Sequence, residues 1–133
     1  METKQVIVMR KDLKMRRGKQ IAQGSHASMK VILDGMERGD LGSTREVLST
    51  SYDYGSPMDD WLNGQFTKIC VYVNSEEELN ELYSKAQELN IPCSMIIDAG
   101  KTEFNGVPTK TCIAIGPDTV ENVDKITKGL PLL

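Results

Sequence analysis

Five side chains in this 133-residue sequence are of types that stabilise anions and move protons: Lys19, His26, Asp98, Thr102 and Thr111. A lysine such as Lys19 is a fixed cation that can hold a phosphate or stabilise an oxyanion. Asp98 can orient a water molecule or take a proton from it. His26 brings an imidazole, the side-chain type that gives and takes protons near neutral pH. The hydroxyls of Thr102 and Thr111 can position a carbonyl or a ribose. Each residue also has an ordinary structural use: a surface lysine at a helix start, a helix histidine bonded to its neighbours, a turn-capping aspartate beside Gly100. Spacing alone does not choose between the two sets of roles.

The elements that would position these groups follow from periodicity. Residues 4–9, KQVIVM, read as a short buried strand. A basic connection over 10–18 leads to a helix from Lys19 to about Glu37. On that helix Ile21, Ala22, Ser25, Met29, Ile32 and Met36 recur at steps of three and four. At about 100° per residue, Lys19, Gln23, His26 and Lys30 cluster on the other side. Gly24 lies inside the helix at a cost of up to about 1 kcal/mol, which hints at close approach by another element or a ligand. Residues 39–57 read mostly as loop, with a short helix around Thr44–Leu48 capped by Ser43, and Met58–Leu62 as a further helical turn or two.

Strands are then expected over Thr67–Val73, Pro92–Asp98 and Thr109–Ile115. A helix capped by Asn74 runs from Ser75 to Glu88, and a last one covers Asp118–Lys128. The order β-α-(α)-β-α-β-β-α predicts an α/β class chain. It is one domain over 1–133, a three-layer α/β/α arrangement with a four-stranded mixed sheet flanked by helices. Ligands in such sheets gather at the carboxyl ends of the strands. If strands one and three are parallel neighbours, Lys19 and Asp98 face one another there.

Composition narrows the function. The net charge is −3, yet it is unevenly spread: residues 1–30 carry eight Lys/Arg against two acids, and the remainder is acidic. Lys11, Lys14, Arg16 and Arg17 lie in the densest basic stretch, where a polyanion could dock while the rest of the surface repels it. There is no GxGxxG, P-loop or GxSxG pattern. Three cysteines without a CxxC and a single histidine leave no disulfide framework or His-rich metal site. Cys70, Cys93 and Cys112 all lie in apolar strand segments and read as buried core thiols. No apolar run reaches membrane-spanning length, and the N-terminus lacks a signal-peptide layout, which favours the cytosol.

Three blocks together resemble a known family: VIVMRKDLKMRRGKQIAQGSHAS at 6–28, IPCSMIIDAGKTEF at 91–104 and TCIAIGPDTVENVDKITKGLPLL at 111–133. The chain is similar to the type 2 peptidyl-tRNA hydrolases. The resemblance implies an enzyme that hydrolyses the ester between a peptide and its transfer RNA, with no metal or cofactor, usually as a homodimer. It implies Lys19, Asp98, Thr102 and Thr111 as active-site residues, with Gln23 and His26 matching the AQ-x-x-HA stretch. The basic connection, Lys11, Lys14, Arg16 and Arg17, would then receive the tRNA, and Gln23 would join in substrate binding. Asp98 is cast as water orienter or base, and Lys19 as oxyanion or phosphate contact. Arg16–Arg17 stands where family members usually carry Gly–Lys, Glu103 stands where glutamine is common, and 38–60 reads as an insertion. Two alternatives share the fold: a non-catalytic tRNA-binding adaptor, and a hydrolase of a related ester such as D-aminoacyl-tRNA.

Overall fold

The computed structural model describes residues 1–42, 44–101 and 103–133. The chain runs β1 (Thr3–Arg10), α1 (Arg17–Asp34), β2 (Glu37–Asp40), β3 (Glu46–Ser49), α2 (Pro57–Asn63), β4 (Lys68–Val73), α3 (Glu76–Glu88), β5 (Cys93–Asp98), β6 (Thr109–Thr119) and α4 (Val120–Thr127). The main sheet has four strands in the order β4-β1-β6-β5. β1 pairs parallel with β4 and antiparallel with β6, and β5 pairs antiparallel with β6. The mixed four-stranded sheet is therefore as the sequence predicts, and so is the antiparallel pairing of the last two strands.

One premise needs correction. Strands one and three, β1 and β5, run parallel but are not neighbours, because β6 lies between them. Three strands, β1, β4 and β5, thus deliver their carboxyl ends to one edge, and β6 begins there.

The central strands β1 and β6 are covered on both faces, which is why their sequences are near-continuous apolar runs. On one face Val6, Val8, Ile113 and Ile115 pack with Leu79, Leu82, Val123 and Ile126 from α3 and α4. On the other, Ile7, Met9, Cys112 and Ala114 pack with Ala27 and Val31 of α1. Each fully buried aliphatic side chain contributes about 1.5–3 kcal/mol relative to exposure. Gln5, also buried, donates to the Gly116 carbonyl at 3.0 Å and accepts from Ser28 Oγ at 2.5 Å. The outer edge of β4 is covered by the C-terminus: Tyr72 N donates to Pro131 O and Leu133 N to Cys70 O. Covering the strand in this way removes an edge that would otherwise invite pairing.

Local chemistry explains the helix starts, with some boundaries moved. Ser75, rather than Asn74, caps α3 by accepting from Glu78 N at 3.1 Å, and Glu78 answers by accepting from Asn74 N at 2.7 Å. Reciprocal bonding of this kind satisfies two donors at the helix start. Thr119 caps α4 by accepting from Asn122 N, so β6 continues through Gly116–Pro117 to Thr119 instead of stopping at Ile115.

Two expectations fail. The helix predicted around Thr44–Leu48 is absent: Glu46–Ser49 is a strand, paired antiparallel with Glu37–Asp40. Ser43, the expected cap, lies outside the described residues. Pairing with 37–40 supplies Val47 and Leu48 with ladder partners that a single helical turn would lack. For the same reason α1 ends at Asp34, short of Glu37.

The orientation of α1 is the second difference. The side facing the sheet carries Gln23, Gly24, Ala27 and Val31, while Ile21 and Met29 are 64% and 56% exposed. The close approach hinted by Gly24 is made by β1: a side chain there would meet Ile7 and Met9 at ordinary contact distance. Small residues at 24 and 27 let the helix lie near the strands, and Gln23 finds polar partners beneath it.

Candidate active site

The carboxyl edge of the sheet brings Lys19, Gln23, Asp98 and Thr111 together. Lys19 lies in the first turn of α1, and Asp98 is the last residue of β5. Lys19 Nζ donates to Asp98 Oδ1 at 2.8 Å, with both side chains about 15% exposed (16% and 14%), so the pair is sheltered yet reachable. The other carboxylate oxygen, Oδ2, accepts from Gly100 N at 2.9 Å. Asp98 is therefore the turn cap that its neighbour Gly100 suggests and, in addition, an ion-pair partner of Lys19. Gly100 adopts a left-handed φ of +78°, and any Cβ there would collide with the Val107 carbonyl. Only glycine lets the backbone N–H come round to the carboxylate at that point.

Beneath the pair lies Gln23, 3% exposed. Its amide oxygen accepts from Thr111 Oγ1 at 2.5 Å, which turns its NH₂ group toward Asp98 Oδ1, 3.4 Å away. Its main-chain carbonyl accepts from Cys112 Sγ at 3.3 Å. Thr111 is fully buried on β6. It fixes the orientation of Gln23 and does not itself line the surface, as an ester partner would. The insertion of β6 between β1 and β5 puts Thr111 there.

The Lys19 hydrogen bond is the largest influence on Asp98 and lowers its pKa. Partial burial opposes this, while the Gly100 N–H, the Lys19 charge and the field of His26 add to it. The net effect holds Asp98 below the usual carboxylate range. His26 itself is exposed on α1 and makes no hydrogen bond to Lys19 or Asp98. Thr102 lies outside the described residues.

The basic connection flanks this edge. Lys11, Lys14, Arg16 and Arg17 are all exposed. Arg16 occupies the cap position of α1 without a side-chain cap bond, and Lys14 takes a left-handed φ of 54°. Lys11 Nζ lies 4.2 Å from the centre of the Tyr72 ring. Arg10 donates to both oxygens of Asp12, at 3.2 and 2.7 Å, and to the Lys110 carbonyl at 3.0 Å. This contact neutralises the one acid in the basic run and ties the run to the start of β6. Arg10 escaped the sequence reading as a site organiser, since nothing in local spacing links it to residue 110.

The cysteines divide. Cys112 is buried, and burial pushes its thiol up to about 12, which leaves no thiolate nucleophile there at neutral pH. Cys93 is half-buried, and Cys70 is exposed, contrary to expectation. Cys70 faces the α1 side of β4, at the end of the sheet that α1 does not reach.

Residues 3–133 match the family model described as Peptidyl-tRNA hydrolase PTH2. A protein named peptidyl-tRNA hydrolase from Sulfurisphaera tokodaii is 45% identical over 134 residues, covering 100% of both chains. One of the same name from Methanocaldococcus jannaschii is 42% identical over 130 residues, covering 98% of this chain and 99% of that one. A solved structure of a protein of unknown function from Agrobacterium tumefaciens strain C58 aligns with a TM-score of 0.57 at 14% identity. It covers 100% of this chain and 98% of that chain, a likeness of fold alone.

Proposed function

The chain belongs to the peptidyl-tRNA hydrolase PTH2 family, and on that premise we propose that it frees tRNA by hydrolysing the peptidyl ester at the Lys19–Asp98 edge. The observation that carries this reading is the 2.8 Å contact between Lys19 Nζ and Asp98 Oδ1 at the carboxyl end of three strands. Water attacks the ester carbonyl, the C–O bond to the ribose breaks, and the water proton ends on the ribose oxygen. An ammonium has three donors. One is spent on Asp98, and the others are available to the oxyanion that develops on the carbonyl.

Asp98 is the orienting group in this scheme. A general base works best with a pKa near the operating pH. Lys19 moves Asp98 the other way, so the carboxylate holds Lys19 in place and accepts a hydrogen bond from the attacking water. Gln23 and Thr111 are positioning residues that keep a donor turned toward the carboxylate. Thr102 is assigned as a hydrogen-bond partner of the ester, and His26 as the group that passes the proton on. Lys11, Lys14, Arg16 and Arg17 contact the tRNA backbone, a sequence-independent mode suited to accepting many tRNAs. We place this activity in the cytosol, in a homodimer. Among the described residues no helix is long and apolar enough to cross a membrane.

The test is hydrolysis of N-acetyl-aminoacyl-tRNA by the purified protein. Release of free tRNA and the N-acetyl-amino acid is expected. Binding of the tRNA with the ester left intact would favour the adaptor reading instead.

A further inference from the structure

The two outer edges of the main sheet differ. The edge at β4 is covered by the chain's own C-terminus, where Tyr72 N donates to Pro131 O and Leu133 N to Cys70 O. The edge at β5 is open: among the described residues, no group outside β6 bonds the main chain of Cys93–Asp98. Pro92 O accepts from Gly116 N at 2.7 Å, the first rung between β5 and β6. Alternate residues of an antiparallel ladder turn both main-chain groups to the partner strand. Ser94, opposite Ala114, and Ile96, opposite Cys112, are therefore bonded to β6. Cys93 and Met95 each turn an N–H and a C=O to the open side.

Open strands usually carry a device against pairing, such as a lysine or a proline. The strand CSMIID contains neither, and Ile97 is 59% exposed. β5 also ends at Asp98, the carboxylate that holds Lys19. The open edge is thus continuous with the proposed ester site. A peptidyl-tRNA carries its ester on the C-terminal residue of the peptide. With that carbonyl at Asp98, the preceding residues run back toward Cys93, in the same direction as β5 itself. An extended peptide so placed is a parallel strand, added to the sheet through main-chain bonds. Such bonds are the same for every sequence, which suits an enzyme whose peptides differ.

From this geometry we infer that the open edge of β5 is the subsite for the peptide portion of the substrate, which pairs with it as a parallel fifth strand. The inference rests on the reading that the ester lies at Lys19–Asp98. At about 3.3 Å per residue, Met95 lies about 10 Å and Cys93 about 17 Å back from Asp98. Met95 therefore meets the peptide about three residues before the ester, and Cys93 about five. An N-acetyl-aminoacyl group is too short to reach either.

The test compares kcat and KM for tRNAs carrying an N-acetyl-amino acid, a hexapeptide, and that hexapeptide N-methylated at alternate amides in each of the two possible phases. KM is expected to fall by about tenfold or more from the N-acetyl to the hexapeptidyl substrate, the effect of about two net main-chain hydrogen bonds. Hexapeptides of unrelated sequence should share the gain. Methylation in the phase that faces β5 should remove it, and methylation in the other phase should preserve it. Met95→Pro deletes an outward N–H and should bring the two KM values together, with circular dichroism as the check on folding; the methylated substrates test the same bonds in the unaltered protein. A KM independent of length, a gain confined to one sequence, or one indifferent to the phase of methylation would overturn the pairing and leave the hydrolysis in place. If Met95→Pro lowers the mass in sedimentation without moving the KM ratio, the edge pairs with a second copy and the subsite is wrong. Failure to deacylate any of these substrates would remove the proposed function and the subsite with it.

Discussion

The two flanks of α1 invert the usual relation between polarity and burial. On one flank Gln23 is 3% exposed and every polar atom of its side chain is directed at Thr111 or Asp98. On the other, Ile21 and Met29 lie open. A simple hydrophobic stripe would turn the helix the other way. What decides the orientation is fit: Gly24 and Ala27 allow close packing on Ile7 and Met9, and the buried amide keeps its hydrogen bonds. A satisfied polar group costs little to bury, whereas an orphaned one costs about 1–3 kcal/mol. The polar flank is thus internally bonded, and the apolar flank is left uncovered.

The polar flank breaks most severely at its charged pair. Lys19→Ala and Asp98→Asn should each lower kcat for N-acetyl-aminoacyl-tRNA hydrolysis by about 10²-fold or more, with far smaller changes in tRNA binding. Full turnover by Asp98→Asn would remove the carboxylate from the mechanism. Next in size are the positioning residues. Thr111→Val removes the donor that orients Gln23, and about a tenfold loss in kcat with little change in KM is expected. The same variant should lose about 1–3 kcal/mol of stability in urea unfolding, because the Gln23 amide oxygen is left buried without its partner.

The pH dependence sharpens the comparison further. Asp98 is held below its ordinary pKa in the folded chain. Its contribution to stability is therefore fully present above the unfolded-state value and is lost as pH falls through the folded value. Urea midpoints of the unaltered protein and of Asp98→Asn should differ most near neutral pH and converge as the pH falls through the lowered folded-state value. A gap that persists in acid would mean that the ionised carboxylate is not what stabilises the fold. The smallest effect belongs to the basic connection. Arg16→Ala or Lys14→Ala should weaken tRNA binding uniformly across tRNAs and reduce the salt dependence by about one unit of log–log slope.

The Lys19–Asp98 contact is more legible in the sequence than the frame around it. Lys19 and Asp98 are brought together as expected because β1 and β5 both end at the same edge, even though they are not adjacent. The position of β6 between them depends on pairing between residues 93–98 and 109–115, a non-local choice that local periodicity does not encode. Thr111 could therefore be singled out by resemblance, but its burial behind Gln23 could not. The 37–49 hairpin was hidden for another reason: its strands are four residues each, too short for an alternating pattern to outweigh a Ser–x–x–Glu capping signal. Cys70 reads as core because its neighbours are apolar. Its exposure follows from α1 stopping short of β4, a property of packing rather than of the strand.

The most direct test of the central claim, that Lys19 and Asp98 act as one unit, is a double-mutant cycle on single-turnover hydrolysis of N-acetyl-aminoacyl-tRNA. Lys19→Ala, Asp98→Ala and the double variant would be compared under identical conditions. Groups that act together lose their effect together, so the double variant is expected to be no slower than the worse single one. Losses that multiply would show two independent contributions and contradict the paired site.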